Sequence, residues 1–111
     1  MMMGTMRVHL LYFDGCPHWT VMEKRLREAL NLSGISQSIE HRLVETPEEA
    51  GECHFAGSPS ILLNGRDPFT APSSEVGLTC RLYPTPGGPA GVPTVEQLVA
   101  AIKGEAKNAQ T

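Results

Sequence analysis

Apolar residues along this chain fall into runs whose period changes from segment to segment. Val8-His9-Leu10-Leu11-Tyr12-Phe13 is almost continuously apolar. That continuity marks a strand covered on both faces, here over residues 7–13 and central in its sheet. Asp14-Gly15 follows as a turn signal. Trp19, Met22, Leu26, Ala29 and Leu30 then recur at steps of three and four, with Glu23, Lys24, Arg25, Arg27 and Glu28 on the other side. This spacing predicts an amphipathic helix from about residue 17 to residue 32, closed by Asn31 and Gly34. Pro17 suits its first position, where a missing N–H is harmless. Residues 39–44 form a weaker second strand. Strand, helix and strand in this order predict a right-handed parallel unit.

Thr46-Pro47-Glu48-Glu49 is a helix start, with Thr46 as cap and Glu49 as its box partner. The helix it opens is short and ends before Gly57. Pro59 introduces a short apolar strand, and Asn64-Gly65 closes that strand with a hairpin-type turn. After a Pro/Ser-rich loop over residues 66–76, residues 78–83 alternate in part and predict a last strand, antiparallel to the one before. Residues 84–93 are a Gly/Pro-rich connection. Thr94 and Gln97 form a second capping box, and Val95, Leu98, Val99 and Ile102 give the final helix its core face. The pattern predicts one α/β domain over residues 7–103, with a leader at 1–6 and a flexible tail at 104–111. Its sheet is mixed, of about four strands, with three helices on both faces.

The chain has 111 residues, 41% hydrophobic and 19% charged, with net charge −3. This is ordinary globular composition for a single domain. Mild acidity without a basic run argues against nucleic acid or an anionic membrane as partner. No apolar run approaches the ~20 residues of a bilayer span. Three cysteines do not make a disulfide framework. With no secretory pattern at the start, a reducing cytoplasm is the expected compartment.

The chemistry centres on Cys16, placed where a strand breaks into a helix. Unpaired amides and the positive end of the helix dipole acidify a thiol there. His18 favours the thiolate electrostatically when protonated. Asp14 is read as a turn former and Trp19 as part of the apolar helix face. Cys53 and His54 are read as structural, and His9 and His41 as incidental strand residues. The Cys and His residues lack standard zinc spacing, so neither metal nor cofactor is expected.

The order of elements resembles the thioredoxin-like fold over roughly residues 8–102. The segment Phe13-Asp14-Gly15-Cys16-Pro17-His18-Trp19 stands where that fold carries Cys-x-x-Cys. Gly57-Ser58-Pro59-Ser60 looks like its segment with a cis-proline facing the active cysteine. The resemblance implies a cis Ser58–Pro59 bond, with Pro17, Trp19, Ser58 and Pro59 shaping a groove. It also implies Ser58 backbone groups offered to an extended partner chain. Trp19 replaces the second cysteine, which leaves single-thiol chemistry at Cys16. A mixed disulfide would be resolved by glutathione or by a distant cysteine, for which Cys80 is the candidate. The chain is similar to short bacterial thioredoxin-like proteins with the Tyr-Phe-Asp-Gly-Cys-Pro-x-Trp signature, some of which carry selenocysteine. It also resembles the catalytic region of alkylmercury lyases, with Cys16 and Cys80 matching the two mercury-gripping thiols. The proton-donating aspartate of that family falls at Trp19, so this likeness implies soft-metal binding better than lyase activity. A third reading is a non-catalytic scaffold that keeps the fold for partner contacts. The expected partners are a disulfide, a peroxide or a soft-metal electrophile, with glutathione or a partner protein.

Overall fold

The computed structural model describes residues 6–15, 17–35, 38–53, 55–69, 77–78 and 80–109. The apolar run after Arg7 becomes β1 (Val8–Tyr12), the central strand. It pairs in parallel with β2 (Ile39–Leu43), Val8 opposite Ile39, and antiparallel with β3 (Ser60–Leu63), Val8 opposite Leu63. The mixed sheet has the order β2-β1-β3.

β1 is apolar throughout because its alternate residues serve two cores. Val8 and Leu10 join Met22, Leu26, Ala29 and Leu30 of α1 (Trp19–Leu32) and Leu98 and Ile102 of α3 (Val95–Ala109). Leu11 turns to the other face and meets Val44, Phe55 and Ala50 of α2 (Pro47–Glu52). Helices therefore cover both faces, α1 and α3 on one and α2 on the other. Each fully buried Leu or Ile in these clusters contributes about 1.5–3 kcal/mol through burial.

Local signals set the boundaries where they are strongest. The Thr46 side chain accepts the Glu49 N–H at 3.1 Å, and the Glu49 carboxylate accepts the Thr46 N–H at 3.2 Å. Thr94 and Gln97 do the same at 3.1 and 2.9 Å. Asn64 and Gly65 take φ of 54° and 85°. Both central residues of a type I′ hairpin turn need such left-handed values. Leu63 and Arg66 exchange both backbone bonds across the turn. The Ser58–Pro59 bond is cis, as the resemblance implied.

Four expectations need correction. First, α1 spans Trp19–Leu32 with His18 as its N-cap, rather than starting at about residue 17, and the Met22 N–H donates to the His18 carbonyl at 3.1 Å. Second, Met6 does not belong to a leader: it is buried in the main core. Third, the described residues contain three strands, not about four. Residues 80–83 make only two isolated bridges, Cys80 parallel to Ser58 and Tyr83 antiparallel to Ala90. The backbone bonds of this stretch go instead to the Ser58 carbonyl, from Arg81, and to a tight hairpin in which Tyr83 pairs with Ala90 and Thr85 with Gly88. Fourth, residues 104–109 continue α3. Glu105 anchors them, accepting from Asn64 at 3.2 Å and pairing with Arg66 at 3.3 Å.

Candidate functional site

The site read from the sequence lies at the C-terminal end of β1, where the chain turns into α1. Cys16 is outside the described residues, as is His54. The residues on either side, Asp14, Gly15, Pro17 and His18, are all exposed. Asp14-Gly15 forms the expected turn. It folds tightly enough that a Cβ on Gly15 would stand 2.6 Å from the Phe13 ring. The His18 imidazole lies over Gly91, where an added Cβ would come within 2.9–3.1 Å of three ring atoms. This contact points His18 toward the loop before α3. Trp19 is half-buried, stacked on Tyr12 with centroids 4.5 Å apart and edge-on to His41 at 6.1 Å.

Ser58 is the junction of the site. Its Oγ accepts the Phe13 N–H at 3.3 Å, which ties the loop before β3 to the end of β1. Its carbonyl accepts the Arg81 N–H at 2.9 Å, and it bridges Cys80, which is exposed. The structure thus gathers Ser58, Pro59 and Cys80 beside the segment that leads to Cys16. Ser58 and Pro59 are both buried, however. The Ser58 carbonyl, expected to face a partner chain, accepts the chain's own Arg81 N–H.

Beneath this junction lies a polar cluster that the sequence reading missed. Arg81 pairs with Asp67 at 2.6 Å, each side chain only 9% exposed. It also donates to Ser60 Oγ at 2.9 Å and lies 4.5 Å from the centroid of the Tyr83 ring. The Tyr83 hydroxyl donates to the Pro59 carbonyl. Asp67 further accepts the Phe69 N–H at 2.9 Å, and Phe69 packs edge-on against Tyr83. Burial pushes the Tyr83 phenol well above its ordinary range; the charge of Asp67 adds to this and that of Arg81 opposes it. The cluster holds the Pro59 carbonyl and the Ser60 hydroxyl, and so fixes the loop that Ser58 anchors to β1. The available signal was an arginine inside an otherwise apolar stretch, which calls for a partner when buried.

A cleft of about 230 Å³ opens beside Asp14 at the C-terminal ends of β1 and β2, lined by Phe13, Asp14, Leu43, Val44, Glu45 and Leu78. Open sheets with parallel strands bind ligands at this edge. Cys53 is set apart, its Sγ donating to the Glu49 carbonyl at 3.1 Å. Among the described residues, no three His, Cys, Asp or Glu side chains are grouped to hold a metal ion.

These features define a small α/β protein, with a three-stranded mixed sheet and three helices among the described residues and a loop junction at the end of the central strand. No helix among the described residues is long and apolar enough to cross a membrane. No family model, curated protein or solved structure matches the chain.

Proposed function

We propose that this chain is a thioredoxin-like thiol protein whose nucleophile is Cys16. One observation carries the reading. Ser58 holds Phe13, three positions before Cys16, through its hydroxyl, and holds the segment of Cys80 and Arg81 through its backbone. The two cysteines thereby belong to segments that meet at one residue. In the reaction, the Cys16 thiolate attacks one sulfur of a disulfide, forming a mixed disulfide and expelling the other sulfur as thiolate. A second thiol, Cys80 or glutathione, then attacks Cys16 Sγ and releases the substrate as its thiolate. If Cys80 resolves, two external thiols reduce the Cys16–Cys80 disulfide and leave as their own disulfide; if glutathione resolves, a second glutathione attacks the glutathione sulfur on Cys16, freeing the Cys16 thiolate and forming glutathione disulfide.

The test is the rate of Cys16 alkylation against pH, followed by mass spectrometry of the modified peptide. A titration well below the free-thiol value of about 8.5 supports the proposal, and a titration at or above it removes the nucleophile. With Cys80→Ser and no added glutathione, a model disulfide substrate should stay trapped on Cys16.

The same junction favours a second reading, capture of a soft ion such as Hg(II) between two thiolates without turnover. Stoichiometric Hg(II) binding abolished by either Cys16→Ser or Cys80→Ser would mark it. Binding that survives both substitutions would exclude it.

A further inference from the structure

We propose that β2 is a self-association edge, and that two copies of this chain pair antiparallel through Ile39–Leu43 about a two-fold axis at His41. Among the described residues β2 pairs only with β1, so its other side is an open strand edge. Which groups face outward follows from one bond: Val44 N–H donates to the Tyr12 carbonyl at 2.8 Å, so Val44 faces β1. Backbone direction alternates along a strand, so Arg42 and Glu40 face β1 as well. Ile39, His41 and Leu43 are left with N–H and C=O directed outward.

An antiparallel partner centred on His41 uses that set. His41 exchanges bonds with its copy, and Ile39 exchanges with Leu43 of the other chain. Glu40 then falls opposite Arg42 of the copy, and Arg42 opposite Glu40. These are the non-hydrogen-bonded pairs, where side chains approach closest. Both side chains are exposed and lie on the sheet face away from α1; Glu40 meets His9 Nε2 at 3.0 Å with one carboxylate oxygen and is still 73% exposed. Charges on an edge strand often serve to repel other strands. Here, in the self-paired register, they attract. The occupant that fits this charge order is therefore a second copy, and the product is a continuous sheet through both molecules. A five-residue edge buries less than the ~1,200 Å² of a stable interface, so the dimer should be weak and concentration-dependent, micromolar at best.

Sedimentation equilibrium of the full chain, from micromolar to near-millimolar concentration, tests this. We expect a reversible monomer–dimer equilibrium. Glu40→Arg or Arg42→Glu alone turns both cross-strand pairs repulsive and should weaken the dimer about tenfold or more. The two variants mixed should associate again, since one presents two arginines and the other two glutamates. Circular dichroism confirms that each variant is folded. In the wild type, amide NMR signals of Ile39, His41 and Leu43 should shift with concentration, while those of Glu40 and Arg42 should not. A monomer at every concentration overturns the proposal. So does a dimer indifferent to the charge reversals, or an edge that binds an unrelated extended peptide but not its own copy.

Discussion

Arg81 enters the interior with a full set of partners: the Asp67 carboxylate, the Ser60 hydroxyl and the face of Tyr83. A buried pair of this kind is weak evidence for added stability, but breaking it leaves one charge uncompensated. Arg81→Met should therefore cost about 3–5 kcal/mol in urea unfolding. Arg81→Met with Asp67→Asn should recover part of the loss, because no buried charge then stands alone. Tyr83 gives a second check at this scale. Its raised phenol pKa means that the folded state favours the neutral form. That contribution is complete below the unfolded value of about 10 and is lost as pH rises above it. In a Tyr12→Phe background, absorbance at 295 nm should show no phenolate near pH 10 while the protein is folded, and a sharp rise on alkaline unfolding.

The helices divide by what starts and ends them. α2 and α3 begin at reciprocal capping boxes, whereas α1 has no side-chain cap at His18. Thr94→Ala should cost about 1 kcal/mol, measured by denaturant midpoint, and Thr94→Ser should cost much less. The end of α3 depends on tertiary contact instead. Glu105 is held by Asn64 and Arg66 of the β3 hairpin, and Ala106 packs on the main core. Glu105→Ala should speed amide exchange in residues 104–109 ahead of the rest of the helix, a difference hydrogen exchange would detect.

For the whole molecule, the two cores on either face of β1 and the charge network at its edge set the response to truncation and to acid. Leu26 is fully buried between sheet and helices, so Leu26→Ala should cost about 2–5 kcal/mol. Glu23 pairs with Arg27 within α1 at 2.6 Å and joins the helix to the sheet through His41 at 3.1 Å. Hydrogen bonding from Arg27, then from His41, holds its carboxyl below the ordinary value of 4.5, against the opposing effect of burial. A depressed carboxylate contributes stability above its unfolded value and loses it as pH falls through the native one. Glu23→Gln should therefore flatten the fall in thermal midpoint below about pH 4.5, with little change in slope above it.

The central strand, the amphipathic helices, both capping boxes and the Asn64-Gly65 hairpin were legible in the order of residues. Each rests on residues close together in the chain, whose period or turn chemistry allows one local outcome. Position 16, the centre of the chemistry read from the sequence, lies outside the described residues, so the reactive thiolate stays a proposal. Long-range packing put Met6 in the core, left residues 80–83 as bridges rather than a strand, and carried α3 to Ala109. It also decided that Ser58 joins Phe13 to the Cys80 segment, and that Asp67, Arg81 and Tyr83 close around Pro59. The side-chain bonds behind these outcomes join partners 14–45 positions apart. Neither propensity nor periodicity carries information over that distance, and a buried charge or an anchored helix end exists only once the partner is in place.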